Sequence, residues 1–152
     1  MLNLESSQSL DQYLALAEKI SEQHGVRLTK LRKMIFALLL QANAPVKAYD
    51  LIEKMRETGK VITPTTTYRI LDFLLSEKLI HKVHTLNAYV SCSVEHQHEH
   101  SSLMVICSQC ETTEEIDDTE LTDTICHRLN NLGVSLKDNC IEIQGVCKKC
   151  QE

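Results

Sequence analysis

The chain has no tryptophan, only four glycines and two prolines among its 152 residues, and no cysteine before Cys92. So little glycine and proline excludes collagen and low-complexity chains. No internal repeat is visible, which excludes a solenoid array. The longest apolar run is Met34–Leu40, far below the roughly 18 residues that a membrane span needs. Met1–Leu10 has neither a basic start nor an apolar stretch after it, so neither a secretory signal nor a membrane partner is expected. HExxH and a glycine-rich phosphate loop are missing too. What is present, 43% hydrophobic and 24% charged residues, is ordinary for a globular protein and excludes disorder. The length fits one domain or two small ones.

The net charge of −5 argues against nucleic acid until the chain is divided. Residues 1–91 carry 12 basic and 9 acidic groups, a net of +3; residues 92–152 carry 4 and 12, a net of −8. All seven cysteines and six of the seven histidines lie at or after His81. Such asymmetry predicts two modules with different partners. An odd cysteine count and the missing signal point to a cytoplasmic chain with reduced thiols, where closely spaced cysteines read as metal ligands or redox groups.

Periodicity and caps predict four helices in the basic half. The first runs from about 10 to 24, after a capping box of Ser9 and Gln12 and before Gly25. The second starts at Thr29 and ends near Asn43. The third runs from about Ala48 to Glu57, and the fourth from Thr63-Pro64 to about Glu77. Leu79–His84 and Ala88–Cys92 then read as a hairpin. Helices followed by a hairpin outline a winged helix-turn-helix over residues 1–92. Residues 93–102 are polar, His-rich and lack apolar periodicity, the pattern of a hinge. Leu103–Cys107 and Thr113–Ile116 read as strands. Glu120–Leu132 reads as a helix with Leu121, Ile125, Leu129 and Leu132 on its inner face, and Val134–Val146 holds a last strand or two. The fold class is α+β, with a small C-terminal α/β unit over 103–152. The acidic half, about 60 residues, is marginal alone, so metal and a second subunit are expected to support it.

Cys107-x-x-Cys110 with Cys147-x-x-Cys150 supplies four thiolates for a closed, structural zinc site. Two redox dithiols are the rival reading. A second donor set comprises His81, His84, Cys92, Glu95, His96, His98, Glu99, His100 and the acidic run 111–120. Mixed His/Cys/carboxylate donors suit zinc, whereas hard O/N sets lean to iron or manganese. Cys126 and Cys140 read as buried thiols, His24 and His127 as surface or core, and Tyr13 as packing. In the basic half, Arg27, Lys30, Arg32, Lys33, Lys47, Arg56, Lys60, Arg69 and Lys82 read as phosphate contacts on a winged helix. Thr65, Thr66, Thr67, Tyr68 and Arg69 open the fourth helix, with hydroxyls and a guanidinium for phosphates and base edges.

The run Pro64-Thr65-Thr66-Thr67-Tyr68-Arg69-Ile70-Leu71-Asp72 resembles the recognition-helix signature of the ferric uptake regulator family. Arg27-Leu28-Thr29 with Arg32, Ala48-Tyr49-Asp50-Leu51 and the paired cysteine knuckles follow in matching order, so the resemblance covers about residues 8–151. His81-Lys82-Val83, Tyr89-Val90-x-Cys92 and His100 most resemble the family's zinc uptake regulators. The resemblance implies a homodimeric, zinc-sensing repressor that binds a double-stranded DNA operator and carries two zinc ions per chain. It maps structural zinc onto Cys107, Cys110, Cys147 and Cys150, and regulatory zinc onto His81, Cys92, His100 and Glu115. It maps DNA contacts onto Tyr49 and Arg69 in the major groove and Arg27 near the backbone or minor groove.

Two positions depart from the family pattern. Lys30 stands where proline is frequent, and Lys78 where glycine usually ends the recognition helix. The hinge has more histidine than one zinc needs and resembles that of iron-sensing relatives. That leaves His96 and His98 open as substitutes for His100 or as ligands of a third site. Glu114 also remains an alternative to Glu115. An iron or peroxide sensor is therefore the nearest rival, against which Cys92 speaks, since thiolate prefers zinc. A zinc enzyme or a thiol redox switch is the rival of another class. Ligands drawn from both sides of the hinge would let zinc fix the winged helices about one duplex turn apart, roughly 34–36 Å.

Overall fold

The computed structural model describes residues 7–92, 101–136 and 140–151. They form two compact units, one within Met1–Gln97 and the other within His98–Glu152. The first holds α1 (Ser7–Gln23), α2 (Lys30–Leu40), α3 (Ala48–Glu57), α4 (Pro64–Ser76), β1 (Ile80–Val83) and β2 (Ala88–Ser91). The second holds β3 (Ser102–Cys107), β4 (Thr113–Ile116), α5 (Thr119–Asn131), β5 (Cys140–Gly145) and a short 3-10 turn, Lys148–Cys150.

The helix starts are chemical. Thr29 caps α2 by accepting from the Arg32 N–H, and Thr63 caps α4 by accepting from the Thr66 N–H, with Pro64 in the first turn. Both hydroxyls satisfy a donor that the helix leaves orphaned. α1 already includes Ser7, so Ser9 lies inside the helix rather than capping it. α2 ends at Leu40, three residues before the expected stop, as the Gln41 N–H donates to Ala37 and the Ala42 N–H turns back to Leu39.

In the first unit, Phe36 and Leu39 of α2, Leu51 and Met55 of α3, and Leu71 and Leu74 of α4 are at most 1% exposed. These positions follow helical spacing, so three helices share one apolar centre; α1 adds Ala17 and Ile20, with Tyr13 packed against it. β1 and β2 pair antiparallel, Ile80 opposite Ser91 and Val83 opposite Ala88. Val46 extends this wing, exchanging two 2.9 Å hydrogen bonds with Tyr89. The outline is the expected winged helix-turn-helix.

The second unit is a three-stranded sheet in the order β4-β3-β5. β3 is antiparallel to β4 and parallel to β5. One strand, rather than two, follows α5 among the described residues. Leu103, Met104, Ile106 and Cys107 are buried. The face expected to be the inner one of α5 is covered only in its middle: Ile125 and Leu129 are half-buried, but Leu121 is 41% and Leu132 76% exposed, while Thr122 is 2% exposed. Thr122 turns its hydroxyl onto the Asp118 and Thr119 carbonyls.

Candidate metal centres and nucleic-acid face

The second unit gathers four sulfurs. One knuckle, Cys107–Cys110, lies between β3 and β4, and the other, Cys147–Cys150, follows β5. Because β5 runs parallel to β3, both strands end at the same edge, Cys107 beside Gly145. The Ser108 N–H donates to the Gly145 carbonyl at 2.8 Å, which holds the two exits together. The sulfurs of Cys107, Cys110, Cys147 and Cys150 all lie within 4.8 Å of one another. Cys110 and Cys147 are 3.7 Å apart. That is far beyond the disulfide length of about 2.05 Å. It is close to the edge, about 3.8 Å, of a sulfur tetrahedron drawn around zinc at about 2.3 Å.

Backbone donors prepare the charge. Donation from Cys110, and less from Cys147 and Gln109, lowers the Cys107 thiol to about 6. The Cys147 N–H reaches the Cys107 sulfur at 3.3 Å. Cys110 is lowered too, chiefly by the Thr112 hydroxyl 3.1 Å away. Cys150 is pushed up to about 12, chiefly by the neighbouring Cys147 thiol. Crowded thiols of this kind release their protons to a metal. The donor set therefore fits a structural zinc, with all four positions taken by protein.

The first unit brings two further donors together. In the β1–β2 ladder His81 lies opposite Val90, and the Cys92 N–H donates to the Leu79 carbonyl at 2.9 Å. Cys92 is thus one pair along from His81 on the same face, a diagonal neighbour. A ligand atom of His81 and the Cys92 sulfur lie within 4.8 Å, and Cys92 is buried at 5%. In the second unit, strand alternation separates the two candidate carboxylates. Glu114 lies opposite Val105 and is exposed, whereas Glu115 lies opposite buried Met104 and is half-buried. Glu95, His96, His98, Glu99 and His100 lie outside the described residues.

The cationic face of the first unit is more selective than the sequence suggested. Arg27, Tyr49, Thr65 and Arg69 are exposed, Tyr49 at 65%, and Thr66 is half-buried. Thr67 is fully buried and donates to the Thr63 carbonyl, so it offers no hydroxyl outward; its spacing to Ile70, Leu71 and Leu74 puts it on the inner face of α4. Lys33 pairs with Glu18 at 2.6 Å. Arg32 lies 3.5 Å over the Phe73 ring. Neither is an open phosphate contact. Elsewhere, His24 pairs with buried Glu77 at 2.7 Å, a partnership over 53 residues that no local pattern announces. Cys126 and Cys140 are half-exposed rather than buried, and Cys126 meets the Ser101 hydroxyl at 3.2 Å.

No described helix is long and apolar enough to cross a membrane. A family model described as the ferric uptake regulator family matches residues 23–144. The zinc uptake regulation protein of Escherichia coli is 40% identical over 140 residues, covering 91% of this chain and 81% of that protein. Its namesake from Mycobacterium tuberculosis is 33% identical over 130 residues, covering 84% and 96%. A solved zinc uptake regulator complexed with zinc and DNA matches at a TM-score of 0.82 and 35% identity, covering 94% of this chain and 95% of that one.

Proposed function

Because the chain belongs to the ferric uptake regulator family, we propose that it is a zinc-sensing repressor that binds operator DNA and controls zinc uptake genes. The observation that carries this reading is the wing pair: a histidine and a buried cysteine converge within 4.8 Å at the end of the DNA-binding unit. A thiolate in that pair selects a soft or borderline metal such as zinc over ferrous ion. His81, Cys92, His100 and Glu115 would complete a four-ligand regulatory site. Glu115 is preferred to Glu114 because it is the half-buried one of the two. Cys107, Cys110, Cys147 and Cys150 would hold a second, structural zinc. With all four positions taken, that site leaves none for a substrate, and we read the chain as a regulator and not an enzyme.

Ligands from residues 81–92 and 100–115 belong to the two units, so binding would restrict how the winged helices are carried. In a homodimer that restriction sets the spacing of two recognition helices on one duplex. Zinc and DNA then share a coupling free energy, typically about 1–3 kcal/mol, and each tightens the other. The apolar residues exposed on the second unit, Leu121, Leu132, Val134, Ile143 and Val146, are the surface a second copy would cover. Arg27, Tyr49, Thr65, Thr66 and Arg69 would meet the DNA, and the chain would act in the cytoplasm.

The test is a DNA-binding titration against buffered free zinc, with zinc counted per chain in the same samples. Affinity should rise steeply as the count goes from one to two. Cys92→Ser should keep the first zinc and lose the zinc-dependent rise. Equal binding with one zinc, or a requirement for ferrous or manganous ion, would overturn the zinc-sensing reading.

A further inference from the structure

We propose that Arg32 is a positioning residue that links the two arginines assigned to DNA, Arg27 and Arg69, rather than a phosphate contact itself; this rests on the DNA-binding reading above. Arg32 stands in the first turn of α2. Its guanidinium makes two contacts. One nitrogen donates to the Arg27 carbonyl at 2.7 Å, and the guanidinium carbon lies 3.5 Å from the centre of the Phe73 ring on α4.

The first contact fixes the backbone that carries Arg27. Its carbonyl also accepts from the Thr29 N–H at 3.1 Å, so both lone pairs of that oxygen are engaged. Thr29 in turn caps α2 through the Arg32 N–H. Residues 27–29 are therefore held to Arg32 at two points and to one another at a third, and the exposed Arg27 side chain leaves from a pinned backbone. The second contact reaches the recognition helix. Phe73 follows Arg69 by four residues, so the two share one face of α4, one turn apart. A planar cation stacked on that ring binds it through the ring's quadrupole. One guanidinium thus ties the segment bearing Arg27 to the face bearing Arg69.

The geometry also separates Arg32 from the other cations. Arg27 and Arg69 have exposed side chains. Arg32 is half-buried, with one edge on a carbonyl and one face on a ring. Lysine could not replace it, since a point charge has no planar fork to stack and donate together.

The experiment uses the zinc-loaded full chain and a duplex that the wild type selects from a random-sequence pool. Failure of the wild type to select any duplex would end the DNA-binding reading itself. Given a selected duplex, dissociation constants are measured across a salt series at a temperature where circular dichroism shows every variant folded. Arg32→Gln should weaken binding about tenfold, and Arg32→Lys should recover little of that. The slope of log affinity against log salt should stay at the wild-type value, because no phosphate contact is lost. In an Arg27→Ala background, Arg32→Gln should cost clearly less than it costs alone, since one of the two residues that it positions has gone. The inference is overturned by rescue with lysine, by a slope reduced by about 0.9, by losses that simply multiply in the double variant, or by unchanged affinity in Arg32→Gln.

Discussion

Lys78 offers the sharpest quantitative test, because three other helices act as its controls. α1, α3, α4 and α5 all end in the same pair of hydrogen bonds. After α4 the Lys78 N–H donates to Leu75 and the Leu79 N–H to Leu74, both at 3.0 Å. This cap requires a left-handed residue just past the helix. The others supply Gly25, Gly59 and Gly133, at φ of 73°, 79° and 72°; α4 supplies Lys78 at φ 56°. A Cβ in that region costs about 1–2 kcal/mol, and glycine gives back about 0.5–1 kcal/mol through its freer unfolded chain. Lys78→Gly should therefore stabilise the first unit by about 0.5–1 kcal/mol. At about 4–8 °C per kcal/mol for a domain of this size, the melting temperature rises by about 2–8 °C.

Lys78 is exposed, so removing its side chain forfeits little packing. It does forfeit a cation at a helix C-terminus, which is a small favourable term. Lys78→Ala removes that cation too while keeping the Cβ. The difference between the glycine and alanine variants therefore isolates the backbone. Urea melts followed by helical circular dichroism measure it. If Lys78→Gly is no more stable than Lys78→Ala, the strain argument is wrong.

Other perturbations follow from the same geometry. With Cys107 held down to about 6 and Cys150 pushed up to about 12, Cys107 is already thiolate at pH 7 and Cys150 is still protonated. Zinc must displace that proton, so the log of the four-cysteine site's apparent affinity should rise with pH at a slope of about 1 or more between pH 7 and 8, and more steeply below about 6. Chelator competition reads this directly, and a flat profile refutes it. Ser21 is fully buried, and its hydroxyl has no partner among the described residues; Ser21→Ala should gain about 1 kcal/mol in a denaturant melt by removing an unsatisfied polar group. Arg69→Ala should weaken DNA binding and reduce the salt slope by about 0.9, as a lost phosphate contact does; an unchanged slope would place Arg69 on base edges alone.

Local chemistry explains which features could be read from the residues alone. Thr29, Thr63 and Pro64 announce helix starts because a hydroxyl and a missing N–H act within one turn. Gly25, Gly59 and Gly133 announce ends because the left-handed cap needs them. The two CxxC knuckles were legible because a four-thiol site needs nothing but its ligands. Contacts between distant positions were not. Arg32 meets Phe73 across 41 residues, and no spacing rule connects them. The stripe of Leu121 and Leu132 looks the same whether its own chain covers it or not, and here it is open. Thr67 was misread because its neighbour Thr65 is exposed and Thr66 partly so, while the helical period turns Thr67 inward.

The parallel pairing of β3 with β5 also orders events in time. Residue 102 meets residue 140, so the intervening chain must close before the ladder can begin, whereas Ile80 meets Ser91 only eleven positions away. Loop closure delays non-local pairings. The β1–β2 hairpin should thus form while the thiols of the two knuckles are still far apart. During that interval they are open to oxidants and competing soft metals, and the correct ion is captured only once the last strand has found its place.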